Sequence, residues 1–89
     1  MMDKDDLVRE TIRAFILNDF LGGEDPSSLT DTTPLITGGI LDSIGTIRLV
    51  TYLEGTYSIS LEQKDITVER FNTVDQIVRT VRARISNIP

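Results

Sequence analysis

The sequence predicts an all-α fold: a small antiparallel four-helix bundle of three main helices and one short helix, with a long loop between helices 1 and 2. Three segments carry apolar residues at intervals of three, four and seven, the spacing of one face of an α-helix. Such helices bury their apolar faces against one another. The one alternating stretch, residues 58–62, has no partner strand, so we expect an extended linker there. The length of 89 residues predicts one small domain spanning residues 1–89.

The first helix is expected from about Asp3 to Phe20, ended by Gly22 and Gly23. Its apolar stripe consists of Leu7, Val8, Ile12, Phe15, Ile16 and Phe20. Residues 22–41 contain two prolines and four glycines, which break helices and favour turns, so they form the long loop. This loop has more large apolar residues than a solvated connection needs, so we expect it to lie across the helices. These residues are Leu29, Leu35, Ile36, Ile40 and Leu41.

The second helix is predicted from Ser43 to about Thr56. Asp42 is expected to be its N-cap residue, because a carboxylate there accepts hydrogen bonds from free backbone N–H groups. The predicted apolar stripe consists of Ile44, Ile47, Leu49, Val50, Leu53 and Tyr57. The positions expected to be exposed are Gly45, Thr46, Arg48, Thr51 and Tyr52.

A short helical segment is expected between Lys64 and Arg70. The last helix is predicted from Val74 to about Ile85, with Asn72 or Thr73 as its cap. Its apolar stripe consists of Val74, Ile77, Val78, Val81 and Ile85. Three arginines near its C-terminal end complement the helix dipole and are expected to be solvated: Arg79, Arg82 and Arg84.

The composition argues against several classes of function. The chain has no cysteine and no histidine, so it lacks thiolate nucleophiles, the commonest general base and the commonest metal ligand. We therefore expect no catalytic residues and no metal site. The net charge of −5 disfavours a nucleic-acid partner. The N-terminal sequence has no signal-peptide pattern, and no apolar run reaches membrane-spanning length. A cytoplasmic monomer that binds no membrane is the expectation.

The pair Asp42-Ser43 has two interpretations. Taken alone, it favours a simple helix cap, because both residue types satisfy free backbone donors at a helix start. Its surroundings favour a second interpretation, in which the Ser43 hydroxyl takes part in chemistry. A loop rich in apolar residues leads into the helix and leaves this hydroxyl at the helix N-terminus. Free N–H groups and the helix dipole make that place favourable for a phosphate. Ser43 is therefore well placed to carry a phosphodiester, and the chain need not supply a base to activate it.

Residues 38–61, "GGILDSIGTIRLVTYLEGTYSISL", resemble the attachment-site helix of the acyl carrier protein family, which includes peptidyl, aminoacyl and D-alanyl carriers. The segment "FNTVDQIV", residues 71–78, is similar to the family's entry into its last helix. The order of helix, long loop, "LDS" helix, short helix and last helix extends the resemblance over about the whole chain.

The resemblance implies a cofactor and a set of partners. Ser43 would be esterified by the phosphate of 4′-phosphopantetheine, donated from coenzyme A by a separate phosphopantetheinyl transferase with Mg²⁺. The thiol of the attached arm would hold an acyl or aminoacyl thioester and present it to loading ligases or synthases. Asp42 matches the acidic residue before the family's serine, which assists the transferase complex. The second helix would be the main recognition surface, and its expected contact residues are Ile44, Ile47, Arg48, Thr51 and Glu54.

Two departures from the family's pattern bear on the pathway. Ile44 stands where leucine is usual, and Arg48 lies in a helix that is strongly acidic in carriers for fatty-acid synthesis, whereas here Glu54 is its only carboxylate. They favour a specialised pathway over housekeeping fatty-acid synthesis, with an acyl, aminoacyl or D-alanyl cargo. The competing hypothesis is an unmodified helical interaction module, and the weakest one is a carboxylate-based enzyme.

Overall fold

The computed structural model describes residues 4–22 and 26–86 and is all-helical, as the sequence predicts. Its helices are α1 (Lys4–Phe20), α2 (Ser43–Tyr57), α3 (Val68–Phe71) and α4 (Val74–Ser86), with 3-10 turns at Pro26–Ser28 and Gln63–Asp65. Three helices are long and one is a single turn, which confirms the predicted small bundle. The expected first residue of α1, Asp3, and the second of its two terminating glycines, Gly23, lie outside the described residues.

The core lies where α1, α2 and α4 face one another. The central stripe of α4 is almost completely buried, and each of its four members is at most 3% exposed: Val74, Ile77, Val78 and Val81. The α1 residues packed in this core are Val8, Ile12 and Ile16, and those of α2 are Leu49, Val50 and Leu53. Burying one such side chain contributes roughly 1.5–3 kcal/mol, so this cluster is the main stabilising feature of so short a chain.

The long loop is part of the core, as its apolar content predicts. Leu29, Leu35 and Leu41 are each at most 2% exposed. The backbone N–H of Leu35 donates to the carbonyl oxygen of Asn72 over 2.6 Å, and that of Leu41 donates to Leu35 over 2.8 Å. The loop is therefore fixed both to itself and to the residue that follows α3.

The helix ends follow local chemistry. Gly22 has φ +62°, the left-handed conformation that suits glycine after a helix, and the N–H of Leu21 donates to Ile16 over 3.2 Å. The hydroxyl of Thr73 accepts from the N–H of Gln76 over 3.1 Å, so Thr73 is the residue that caps α4. After α2, residues 59–62 form neither helix nor strand, as expected, and Glu62 has extended backbone angles. Ser58, the first residue of the expected extended linker, instead has a left-handed φ of 54°.

The predicted stripe of α2 is wrong in its N-terminal half. Ile44 and Ile47 are 70% and 64% exposed, and Leu7 of the α1 stripe is 53% exposed. Conversely, Gly45 is buried and Tyr52 is half-buried, although both were expected on the solvent side. The cause is the aromatic edge of α1, which covers the face of α2 that the periodicity assigned to solvent.

Two contacts define that aromatic edge. The rings of Phe15 and Tyr52 stack with centroids 4.1 Å apart, and Phe15 meets Phe20 edge to face at 5.8 Å. A Cβ placed on Gly45 would lie 2.9 Å from Cε1 of Phe20, closer than van der Waals contact allows. Glycine at this position therefore lets the end of α1 approach the start of α2.

The arginines of α4 also differ from the expectation of a solvated helix end. Arg84 donates to the carboxylate of Asp65, which is only 1% exposed, and Arg82 lies 2.6 Å from a carboxylate oxygen of Asp5. Both side chains are therefore engaged with neighbouring segments, and only Arg79 of the three is exposed. The physical reason is that distant carboxylates reach this end of the helix, which local sequence does not reveal.

Candidate functional site

The candidate site lies at the N-terminus of α2. Asp42 has extended backbone angles, φ −88° and ψ −172°, and its Oδ1 accepts from the N–H of Gly45 over 2.6 Å. Its backbone carbonyl accepts from both the N–H and the hydroxyl of Thr46, each over 2.8 Å. This is N-cap geometry, and it fixes where the first turn of α2 begins.

Ser43 is the first residue of α2 and is exposed. Its hydroxyl makes no hydrogen bond with any residue of 4–22 or 26–86. The first-turn N–H groups that Asp42 does not bind remain available, and the dipole of the 15-residue helix adds partial positive charge there. The hydroxyl is thus accessible to another protein and lies where a phosphate group is stabilised.

A groove opens directly beside this hydroxyl. It has a volume of about 570 Å³, and Ser43, Asp42, Thr46 and Thr67 contribute its polar lining. Its apolar lining consists of Ile36, Leu41, Ile47, Ile66 and Val68. These residues come from the long loop, from α2 and from the segment entering α3, so the groove exists only in the folded chain. We call it the Ser43 groove.

Exposed apolar side chains surround the same point. Ile44, Ile47 and Val68 are 70%, 64% and 45% exposed, and we call these three residues the apolar patch. These large apolar side chains are left in water beside the exposed Ser43 hydroxyl. The patch lies on α2 and α3, the two helices that flank the Ser43 groove.

The positive charge of Arg48 is not free. Its Nη2 donates to Oδ2 of Asp19 over 2.9 Å, and its guanidinium lies 5.2 Å from the centroid of the Phe20 ring. Arg48 remains half-exposed, and Thr51 lies further along the helix in an exposed position. The exposed face of α2 therefore carries a cation whose charge Asp19 balances within the fold.

Glu54 has a different environment from the other expected contact residues. It is half-buried, and its Oε2 accepts from the backbone N–H of Leu61 over 2.9 Å. This bond holds the extended linker against the end of α2. The fold thus brings Asp42, Ser43, Ile44 and Ile47 together at one end of α2, with Arg48 and Thr51 beyond them, and uses the carboxylate of Glu54 for its own linker.

Ile36, Ile66, Thr67 and Val68 line the Ser43 groove but were not among the predicted site residues. No local signal identifies them, because they reach Ser43 only after the loop and α3 have packed. Within the described parts of the chain, no three His, Cys, Asp or Glu side chains group as a metal site. Nor do those parts contain a helix with the length and apolar character needed to cross a membrane.

Comparisons with known proteins identify the relatives of this chain. No protein-family model matches it. It is 35% identical over 74 residues to the D-alanyl carrier protein of Streptococcus suis (strain 98HAH33), which covers 83% of this chain and 90% of that protein. It is 38% identical over 65 residues to the D-alanyl carrier protein of Streptococcus pyogenes serotype M5 (strain Manfredo), covering 73% of this chain and 81% of the relative. Relatives this similar, matched over most of their length, together with a helical bundle that opens α2 on an exposed serine, establish that the chain belongs to the acyl carrier protein family.

Proposed function

We propose that the chain is a non-catalytic carrier that receives 4′-phosphopantetheine on Ser43 and moves a thioester-bound acyl group between partner enzymes of a specialised pathway. One observation carries the proposal: an exposed hydroxyl that bonds to none of the described residues starts α2 and opens onto the Ser43 groove. A separate phosphopantetheinyl transferase, with coenzyme A and Mg²⁺, performs the modification. The serine therefore needs accessibility rather than a neighbouring base.

The residues present fit the group. A phosphodiester on Ser43 lies at the positive end of α2, where free N–H groups and the dipole favour an anion. The Ser43 groove offers apolar side chains to the alkyl parts of the arm and threonine hydroxyls to its amides. When attached, the group supplies the thiol that this cysteine-free chain lacks. Asp42 keeps the first turn of α2 in place and presents an exposed carboxylate to the transferase.

The apolar patch supports a role in partner recognition. We propose that loading ligases and receiving enzymes contact Ile44 and Ile47, with Arg48 and Thr51 at the edge of the same surface. Large apolar side chains at the centre of an interface commonly supply much of its binding energy. Because Asp19 balances Arg48, charge attraction adds little to this association, and partners built for a strongly acidic helix are disfavoured.

D-alanine is the cargo that we propose. The name printed for the relatives, D-alanyl carrier protein, supports this choice over a fatty acyl group. The near-neutral recognition face of α2 also argues against a fatty-acid partner that requires an acidic helix. The loading partner would then be a ligase that activates D-alanine.

The modification is tested by intact mass. The purified chain is incubated with coenzyme A, Mg²⁺ and a broad-specificity phosphopantetheinyl transferase, beside the variants Ser43→Ala and Ser60→Ala. We expect the mass to rise by one phosphopantetheinyl group in the wild type and in Ser60→Ala, whose changed serine is exposed but distant from the start of α2. Ser43→Ala should gain nothing. A gain in Ser43→Ala would refute the site.

Failure of the wild type to gain mass with several competent transferases would favour the alternative, an unmodified interaction module that uses the apolar patch.

The cargo is tested next. The modified protein is incubated with ATP, D-alanine and a D-alanine-activating ligase, and in parallel with a fatty acid and an acyl-loading synthetase. We expect an alanyl adduct, released by hydroxylamine, in the first reaction. Loading only by the fatty acid would overturn the D-alanyl assignment.

A further inference from the structure

We propose that Asp65 is a positioning residue that holds one wall of the Ser43 groove, and thereby sets how enzymes recognise the group carried on Ser43. The inference rests on the proposed function for its second half, while its first half concerns the folded chain alone. Asp65 does not line the groove itself. Its effect on the site would be indirect, through the segment that follows it.

The carboxylate of Asp65 joins three successive segments. It is 1% exposed and accepts from the N–H of Glu62 over 3.0 Å, from Nη1 of Arg70 over 3.0 Å and from Nε of Arg84 over 3.0 Å, with a further bond from Nη2 of Arg84. We call Asp65, Arg70 and Arg84 the Asp65 clamp. It connects the 3-10 turn at Gln63–Asp65 with α3 and α4.

The electrostatics keep the clamp charged. Burial by itself raises the pKa of the Asp65 carboxyl, but the N–H of Glu62 and the guanidinium groups of Arg84 and Arg70 outweigh burial and hold the pKa below its ordinary value. A buried ion pair of this kind adds little net stability compared with apolar packing. The best-attested role of buried ion pairs in proteins is to favour one packing arrangement of the chain over others, which fits a positioning role.

The groove wall begins one residue after this clamp. Ile66, Thr67 and Val68 line the Ser43 groove, and α3 then continues for a single turn to Phe71. A helix of four residues cannot maintain itself, because one turn forms too few hydrogen bonds to offset the entropy of ordering it. Its place therefore depends on Phe71, which is fully buried, and on the Asp65 clamp.

The opposite wall is tied to the far end of α3. Oδ1 of Asn72 accepts from the N–H of Ile36 over 2.9 Å and from that of Thr37 over 3.0 Å. Ile36 belongs to the loop side of the groove. The α3 wall of the groove is thus fixed to α4 through Asp65. The loop wall is fixed to the end of α3 through Asn72. Release of the Asp65 end would change the width of the groove at Val68.

The test compares Asp65→Asn with Asp5→Asn, which breaks another arginine–carboxylate contact of α4, the one between Asp5 and Arg82. Amide hydrogen exchange is measured on the unmodified proteins. The amide of Asn72 also donates to Oε1 of Gln76, so the informative amides are those of Arg70 and Phe71, which donate to the carbonyl oxygen of Thr67 at the start of α3. We expect Asp65→Asn to speed their exchange about tenfold or more while amides of α1 keep their rates. Asp5→Asn should leave α3 unchanged.

The second readout is steady-state loading of the modified proteins by the D-alanine ligase. We expect KM for the carrier to rise several-fold in Asp65→Asn, with kcat nearly unchanged, and neither constant to change in Asp5→Asn. Equal acceleration of exchange throughout α1, α3 and α4 would indicate general destabilisation and overturn the proposal. Faster exchange in α3 with unchanged KM would overturn its functional half.

Two further variants decide the matter if Asp65→Asn does not fold. The double variant Asp65→Asn/Arg84→Gln removes both charges and leaves no buried ion unpaired. Arg70→Gln removes one arm of the clamp whose side chain is 55% exposed. Wild-type exchange and KM in both variants would refute the clamp. Absence of modification in the wild type would count against the proposed function alone, because the exchange rates still judge the positioning of α3.

Discussion

The helices α2 and α4 have the same apolar periodicity but use it differently. In α4 the central stripe is buried throughout, and Val74 and Ile77 have no exposed surface. In α2 the first two members of the predicted stripe, Ile44 and Ile47, are mostly exposed. Spacing therefore indicates that a helix has an apolar face, but what covers that face depends on its neighbours.

The neighbours account for the difference. α4 packs against α1 on one side and α3 on the other, so its whole stripe has partners. The first turns of α2 contact the end of α1 through Gly45 and Phe20, while the side facing α3 is the open Ser43 groove. The uncovered isoleucines lie beside the proposed attachment point. The contrast teaches that a buried face and an exposed face can share one sequence pattern.

The largest expected difference between the two helices is tested by a pair of equivalent truncations, Ile77→Ala in α4 and Ile47→Ala in α2. Ile77 is fully buried, so its loss should cost about 2–5 kcal/mol in the free energy of unfolding. Ile47 is 64% exposed, so its truncation should change that free energy by no more than about 0.5 kcal/mol. Urea titration followed by circular dichroism measures both.

The same pair separates stability from recognition. The variant Ile47→Ala should fold normally and still raise KM for the loading ligase, because it removes part of the apolar patch. Comparable losses of stability in the two variants would show that α2 is covered in solution by something other than its own chain. An unchanged KM in Ile47→Ala would remove Ile47 from the recognition surface.

A second contrast concerns the arginine–carboxylate contacts of the two helices, Arg84–Asp65 in α4 and Arg48–Asp19 in α2. Asp65→Asn leaves the partly exposed Arg84 and Arg70 without a charged acceptor at a buried position and should cost roughly 1–3 kcal/mol at pH 7. Because the folded pKa of Asp65 is lowered, its contribution is present above the ordinary pKa of the carboxyl. It is lost as the pH falls through the lower folded pKa.

The stability difference between wild type and Asp65→Asn should therefore shrink progressively below about pH 4. The difference is measured from the urea midpoints of both proteins, from pH 7 down to the lowest pH at which they still fold. The groups that contact the Asp65 carboxylate are the N–H of Glu62 and the side chains of Arg70 and Arg84. Arg84 also lies 3.6 Å from a carboxylate oxygen of Glu62, a contact that is present in the wild type and is left in place by Asp65→Asn. A difference that stayed constant with pH would mean that the carboxylate does not carry the contact.

The two glycines inside α2 provide a third comparison. A Cβ on Gly45 would lie 2.9 Å from Phe20, so Gly45→Ala should cost roughly 1–3 kcal/mol by overpacking. A Cβ on Gly55 meets nothing within 4 Å, so Gly55→Ala should gain roughly 0.5–1 kcal/mol from helix propensity. Thermal unfolding of both variants gives opposite signs. A gain in Gly45→Ala would mean that Phe20 moves aside at little cost.

These contrasts mark how far the sequence predicts the molecule. The helices, the Asp42 cap and the packed loop could be predicted, because periodicity, capping and apolar content act within a few residues. The covered face of α2 could not, because it depends on the aromatic end of α1, far away in the chain. The Asp65 clamp and the α3 wall of the Ser43 groove depend on similar long-range pairing. Gly45 was expected to be exposed, and its burial against Phe20 could not be predicted, because Gly55 in the same helix has no such neighbour.

The last contrast returns to Arg48, whose contact should contribute less to stability than that of Arg84. Its contact with Asp19 is partly exposed, so Arg48→Gln should lower the free energy of unfolding by less than about 1 kcal/mol, and added salt should reduce even that. A loss as large as that of Asp65→Asn would contradict the distinction between the two contacts. A double-mutant cycle with Asp19→Asn isolates the contact from the packing of Arg48 on Phe20.

Because Arg48 contributes so little to folding, changes in its charge report on recognition. Arg48→Glu adds acidity to the exposed face of α2, so enzymes of fatty-acid synthesis that favour an acidic helix should use the modified protein better. Arg79→Glu, at an exposed position of α4 outside the Ser43 groove, changes net charge equally and should not help them. Improvement in both variants would assign the effect to net charge. If neither variant improves, the charge at residue 48 does not select partners, and the apolar patch remains the candidate for that role.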